Sequence, residues 1–283
     1  MAQTWLITGC STGFGRAIAR HVIELGHHVV VTARNPAQVE DLAAGHADQT
    51  LVLKLDVTSA SDIAQAVTVT VTEQRFGRID VLVNNAGVGY FGAFEESDPD
   101  AVRAMFEINF WGLADMSRAV LPGMRRRRSG TIVNISSIGG LRSRASLSYY
   151  AASKFGVEAL SEALSQEVAP LGIKVLVVEP GPFRTDWAGR SAGAATVTIE
   201  DYADTAGAMR NTVQSYSGKQ PGDPDRAARA IVMAVNTTEP PLRLLLGKVA
   251  LAGAHAKLDE LRRDFDAWAE VTEGADFPEA GSS

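Results

Sequence analysis

Thr4-Trp5-Leu6-Ile7-Thr8-Gly9-Cys10-Ser11-Thr12-Gly13-Phe14-Gly15-Arg16-Ala17-Ile18-Ala19 carries the chain's first complete structural signal. A short apolar run ends in three glycines spaced GxxxGxG and passes directly into helix-forming residues. Glycines let a chain turn tightly and let backbone N–H groups approach a pyrophosphate at a helix N-terminus. A glycine triplet alone is weak evidence, because a tight structural turn uses the same residues. Here it closes the first strand-like run and opens the first helix-like run, the context a dinucleotide requires. Gly9, Ser11, Thr12, Gly13, Phe14 and Gly15 are therefore candidate cofactor contacts.

The same alternation continues outward from this loop. Strand-like runs fall at Thr4–Thr8, His28–Ala33, Thr50–Leu55, Val81–Asn84, Thr131–Ser136, Lys174–Glu179 and Leu242–Leu246. They are nearly continuous apolar runs, the mark of strands covered on both faces. Helical patterns fill the gaps at Arg16–Leu25, Ser61–Phe76, Asp100–Met124, Tyr150–Leu171, Pro224–Val235 and from Lys248 to about Thr272. This order predicts an α/β fold, a Rossmann-type doubly wound parallel sheet of about seven strands. Helices cover both faces in three α/β/α layers. One domain is expected over residues 1–283. Residues 183–222 are rich in Gly, Ala, Ser and Thr and follow the sixth strand, where an insertion overhangs the ligand edge of the sheet. They are read as a substrate lid, and residues 274–283 as a frayed tail.

The end of the second strand reads Val29-Val30-Val31-Thr32-Ala33-Arg34. An acidic residue there would accept from the adenosine ribose hydroxyls and favour NAD. Arg34 instead suits a 2′-phosphate and adenine stacking, so NADP(H) is expected over NAD(H). The competing reading is an exposed arginine capping a strand. Asp56, with Val57 beside it after the third strand, is placed to accept from the adenine amino group; a turn aspartate is the alternative.

Taken together, the motifs resemble those of the single-domain short-chain dehydrogenase/reductase family, in that family's order. They are Thr8–Gly15, Asp56, Asn84-Asn85-Ala86-Gly87, Asn109, Ser137, Tyr150-x-x-x-Lys154 and Pro180-Gly181. The wording "TGCSTGFGRAIA", "FGRIDVLVNNAG", "NISSIGG" and "EPGPFRT" is most similar to the 17β-hydroxysteroid-dehydrogenase-like branch. The resemblance covers residues 4–186 well and the remainder loosely. It implies that Asn85 supports the central sheet while Ala86 and Gly87 line the adenosine ribose, and that Asn109 lies where a water relays protons from Lys154. It further implies that Pro180 and Gly181 lie beside the nicotinamide, with Thr185 on its carboxamide. Bulky lipophilic alcohols or ketones are the implied substrates. A homodimer or homotetramer is implied as the assembly.

The chemistry of the residues agrees. Tyr150 and Lys154 are four apart and share a helix face. A free phenol titrates near 10, and a neighbouring ammonium favours the phenolate. Tyr150 is then a general acid/base, Lys154 its partner and a ribose contact, and Ser137 an orienter of the substrate oxygen. Tyr149 is excluded because its partner four residues on is Ser153. A lone YxxxK remains weak, since Tyr–Lys surface pairs at this spacing are common. A catalytically silent NADP(H)-binding sensor or scaffold on the same fold is the rival reading.

Other features bound the function. Lys and Arg number 27 against 33 Asp and Glu, a net charge of −6, which argues against nucleic acid as a partner. The run Arg125–Arg128 reads as a solvated helix C-terminus. The single cysteine, Cys10, reads as a small packed hydrophobe, and the absence of disulfide partners suits the cytoplasm. Five scattered histidines make no metal-binding spacing, so no metal is expected. No apolar stretch has membrane-spanning length, and no targeting signal is read at the N-terminus. Trp187 stands at the start of the lid, within reach of a substrate.

Overall fold

The structure is a computed structural model that describes residues 2–72, 76–189 and 192–277. Its elements run β1 (Thr4–Ile7), α1 (Gly13–Glu24), β2 (His28–Ala33), β3 (Thr50–Lys54), α2 (Ala60–Thr72), β4 (Val81–Asn84), β5 (Gly89–Phe91), α3 (Pro99–Phe106), α4 (Gly112–Arg127) and β6 (Gly130–Ile135). They continue α5 (Ser148–Val168), β7 (Ile173–Pro180), β8 (Ala192–Ala194), α6 (Ala208–Ser215), α7 (Pro224–Asn236), β9 (Arg243–Leu246), α8 (Lys248–Ala267) and α9 (Ala269–Glu273).

Seven strands form one parallel sheet in the order β3-β2-β1-β4-β6-β7-β9. The order reverses between β1 and β4, which opens a crevice at their carboxyl ends. Successive side chains of a strand point to opposite faces, and both faces are buried here. Trp5, Ile7, Val29, Val31, Val83, Val133 and Leu176 meet Ile18 and Val22 of α1 and Ile231 and Val235 of α7. Leu6, Val30, Leu82, Ile132 and Val175 meet Ile63 of α2, Met116, Val120 and Met124 of α4, and Val168 of α5. This is the expected three-layer architecture, and it explains why the strands read as unbroken apolar runs.

Three departures from the sequence reading have physical causes. The helix expected over Asp100–Met124 runs as α3 and α4 joined by one π turn, Glu107–Trp111, which carries Asn109. An apolar period near 3.6 does not register a single wider turn. The helix expected to run on from Lys248 breaks at Trp268, whose φ of −117° leaves the helical region. The arginine run is only partly solvated. Arg127 donates to the Ile79 carbonyl at 2.6 Å and Arg128 to that of Pro170, so both tie the helix end to neighbouring loops. Of the tail expected over 274–283, residues 278–283 lie outside the described ones. No helix among the described residues is long and apolar enough to cross a membrane.

Candidate active site

The glycine loop is shaped by the end of β4. Gly9 has a φ of +70°, in the left-handed region that favours glycine. Asn85 donates through its side-chain amide to the carbonyls of Thr8 and Gly9, both at 2.9 Å. The Thr8 hydroxyl accepts from the backbone N–H groups of Asn85 and Ala86, again at 2.9 Å. Gly15 leaves room for this clamp, since a Cβ there would lie 2.4 Å from the Asn85 amide nitrogen and 2.5 Å from the Gly9 oxygen. Asn85 thus holds the glycine loop, whereas its neighbour Asn84 ties the strands of the sheet, donating to the Asn134 amide oxygen at 2.9 Å.

The loop delivers the start of α1 with no side chain capping it. Its free N–H groups face a cavity of about 360 Å³ lined by Ser11, Thr12, Gly13, Arg16, Arg20, Arg184 and Thr185. Asp186 and Asp225 line the same cavity; Arg20 pairs with Asp225 at 2.9 Å and Arg16 with Asp41, so the uncapped amides and Arg184 are what suit a pyrophosphate. These residues therefore fit a dinucleotide. Arg16, Arg20 and Arg184 were not singled out from the sequence. The four-residue spacing of Arg16 and Arg20 on the first helix was the available signal.

Arg34 is exposed at the end of β2, and no carboxylate among the described residues pairs with it. Asp56 is spent partly on a local turn, accepting from the Thr58 N–H at 3.0 Å and hydroxyl at 2.8 Å. The Val57 side chain turns away into the contact with Gly112, leaving only its backbone for a ligand. The Phe14 ring likewise packs edge-on against Phe183 at 5.0 Å. Gly181, after Pro180 at the end of β7, donates to the Leu246 carbonyl at 2.9 Å. Thr185 packs against Gly13 and accepts from the Trp187 N–H.

Ser137, Tyr150 and Lys154 meet at the carboxyl end of β6. The Ser137 hydroxyl accepts from the Gly139 N–H at 3.0 Å, and a Cβ on Gly139 would lie 3.3 Å from both the Ser137 Oγ and the Tyr150 ring. Lys154 donates to the Ile135 carbonyl at 2.9 Å, and its Nζ lies 6.0 Å from the Tyr150 ring centroid. Lys154 and Asn109 both face Gly87. The Asn109 side chain reaches outside its helix: it accepts from the Val88 N–H at 2.8 Å and donates to the Val88 carbonyl at 2.9 Å. A π turn turns this side chain out of the α-helical register and towards β5, which is the use such turns serve near functional sites.

Burial sets the protonation of the pair. It pushes the Tyr150 phenol up to about 12, and the Ser137 hydrogen bond only partly offsets this. It pushes Lys154 down to about 8, against the pull of Glu158. The phenol-lowering ammonium expected from the sequence is thus overruled here by desolvation: at this distance from the ring, Lys154 spends its donor on a carbonyl. The cause of the burial is visible. Trp187 lies over Tyr150 at 4.9 Å between centroids and against Phe91 at 5.7 Å, leaving Tyr150 only 6% exposed. Phe94 and Tyr149 stack at 5.0 Å nearby, so the approach to the phenol is aromatic. Cys10, by contrast, is fully buried, and its thiol is pushed up to about 12, an inert packed group.

Comparison with known proteins agrees with this geometry. The family model for short chain dehydrogenases matches residues 3–195. Oxidoreductase BOA17 of Botryotinia fuckeliana is 39% identical, with 96% of this chain and 98% of that protein covered. A 3-ketodihydrosphingosine reductase of Bacteroides thetaiotaomicron is 40% identical, covering 87% of this chain and 88% of its own. The crystal structure of a short-chain dehydrogenase from Streptomyces avermitilis superposes with a TM-score of 0.91 at 44% identity, covering 97% and 98% of the two chains. Solved relatives carry either cofactor. A Burkholderia phymatum enzyme in complex with NAD matches at TM-score 0.80 and 25% identity, over 93% and 95% of the chains. A Sphingobium yanoikuyae enzyme with NADPH matches at 0.72 and 26%, over 99% and 98%. The chain belongs to the short-chain dehydrogenase family and is an oxidoreductase of the type that acts on alcohol/carbonyl pairs with a nicotinamide cofactor.

Proposed function

We propose that this enzyme prefers NADP(H), acts on a bulky lipophilic alcohol, ketone or aldehyde, and uses Tyr150 as its acid/base. One observation carries the reading: Ser137 and the Tyr150 ring both flank Gly139, with the Lys154 Nζ 6.0 Å from the ring centroid, at the carboxyl edge of the sheet. The amides of residues 11–15 and Arg184 would hold the pyrophosphate, and Lys154, Ala86 and Gly87 the riboses. Pro180, Gly181 and Thr185 would hold the nicotinamide end. The bound cofactor supplies or takes up the hydride.

The remaining work belongs to the chain. Ser137 orients the substrate oxygen beside Tyr150. Tyr150, protonated across the neutral range by its burial, donates to that oxygen in reduction; in oxidation it accepts only after losing its own proton to solvent, as the phenolate. Lys154 stabilises the phenolate so formed. Asn109 braces the loop at Val88 beside Lys154. Residues 183–222 serve as the lid of a single domain. Their backbone pairs β8 with β5, and Glu96 accepts from Ile199 at 2.8 Å and from Ala93 at 3.0 Å. The aromatic approach made by Phe91, Phe94, Tyr149 and Trp187 supports an apolar substrate. So does a relative named for the reduction of 3-ketodihydrosphingosine. Half-exposed Trp111 and Phe155 support a homodimer or homotetramer, and the single cysteine supports the cytoplasm as its setting.

The test is a panel of long-chain, steroid-like and aromatic ketones with their alcohols, followed by cofactor absorbance with NADPH and NADH. The expected result is turnover with bulky ketones and a lower KM for NADPH. Arg34→Asp should raise the KM for NADPH about 10–100-fold, the loss of one or two charge-assisted hydrogen bonds, and should leave NADH little affected. An unchanged NADPH KM removes Arg34 from the cofactor site. Tight NADPH binding without consumption by any carbonyl favours the silent sensor.

A further inference from the structure

Three buried carboxylate oxygens beneath the floor of the site have no hydrogen-bond donor: Oε1 and Oε2 of Glu179 and Oε1 of Glu158. Glu179 is fully buried at the end of β7, directly before Pro180 and Gly181. Glu158 is 5% exposed on α5, one turn beyond Lys154. The two carboxyl groups lie within hydrogen-bonding reach of each other. One cation faces both. The Arg243 Nε, from β9, is 3.2 Å from Glu158 Oε2 and 3.6 Å from Glu179 Oε1. Arg243 Nη2 is shared further with Glu162 at 2.5 Å. The Ser136 hydroxyl, buried and without a partner, stands at the same place: a Cβ on Gly140 would lie 2.6 Å from it and 3.1 Å from Glu158 Oε1.

One guanidinium among three carboxylates cannot neutralise this cluster. Two carboxylates in contact and out of water do not both ionise. A single proton between them gives two of the three oxygens a hydrogen-bond partner. We propose that Glu158 and Glu179 share one proton at neutral pH and act as a positioning pair that keeps Lys154 charged. Burial and the mutual contact both raise the proton affinity of Glu179, which agrees.

The charged groups facing the pair are Arg243, Glu162 and Lys154. The residual negative charge, one helical turn from the Lys154 ammonium, opposes the burial that would strip its proton. When the shared proton leaves at alkaline pH, a second negative charge appears and sustains Lys154 further. The functional half of this proposal rests on Lys154 serving Tyr150 as described above; the shared proton does not.

The test uses the full chain. Infrared spectra at neutral pH should show the carbonyl stretch of a protonated buried carboxyl group in the wild type. Glu179→Gln and Glu158→Gln should each lose it, because the remaining carboxylate then ionises opposite Arg243. In kcat/KM for ketone reduction, the alkaline limb should move to lower pH by about one unit in Glu179→Gln and further in Glu158→Gln. Absence of the band in the wild type overturns the shared proton, whether or not either variant folds. A band that is present while the limb of a folded variant stays put overturns the link to Lys154. The band needs no turnover, so failure here is distinguishable from failure of the proposed activity.

Discussion

Tyr150→Phe is expected to lower kcat about 1000-fold while leaving the dissociation constant for NADPH within a few-fold of the wild type. The first half follows from the chemistry. The phenol hydroxyl is the proposed proton carrier in the cluster with Ser137 and Lys154, and positioned proton transfer is worth about 10²–10⁴ in rate. The second half follows from packing. Phenylalanine keeps the ring that Trp187 covers at 4.9 Å, so the floor of the site and the glycine loop stay in place. Steady-state kinetics with a bulky ketone, paired with fluorescence titration of NADPH, separates the two. Equal loss of binding and turnover would make Tyr150 a structural residue. Retained turnover would move the acid/base elsewhere.

Gly15→Ala should be nearly as damaging, but through the cofactor. The added methyl would meet the Asn85 amide at 2.4 Å and the Gly9 oxygen at 2.5 Å. Neither can yield cheaply, because the Asn85 amide already bonds the carbonyls of Thr8 and Gly9. Overpacking of this kind costs about 1–3 kcal/mol. Borne by the loop that presents the helix amides, that cost corresponds to about 10–100-fold weaker NADPH binding. A lower Tm should accompany it. Calorimetric titration and thermal melts read both effects. An unchanged NADPH affinity would mean that the loop does not carry the pyrophosphate.

The fold was legible because the inner strands of the sheet are buried on both faces, the edge strands β3 and β9 are partly buried, and the crossover helices carry apolar faces. These give strong local patterns. What stayed hidden was long-range or single-turn in origin. β5 and β8 are three-residue strands that exist only because residues 89–91 and 192–194 come together, and Gly-Tyr-Phe and Ala-Gly-Ala carry no strand signal of their own. The π turn at Asn109 is one residue of extra winding. At the site, Tyr150, Lys154 and Ser137 were readable from helix spacing and motif order. Their electrostatics were not, since the phenol rises to about 12 through burial among residues distant in sequence, Tyr90, Met105 and Trp187 among them. Val57 and Phe14 read as cofactor contacts because they sit in the right loops. Their side chains pack at Gly112 and Phe183, partners that no local pattern names, which leaves the backbone of each for the proposed cofactor contact.

The central claim is direct hydride exchange at a carbonyl carbon with Tyr150 moving the proton. It is tested most directly with NADPH deuterated at the reactive nicotinamide carbon and a bulky ketone, the product being read by mass spectrometry. The account predicts one deuterium at the new carbinol carbon with the wild type, and almost no product over the same time with Tyr150→Phe. Product without the label, or labelled product formed equally fast by Tyr150→Phe, would contradict it.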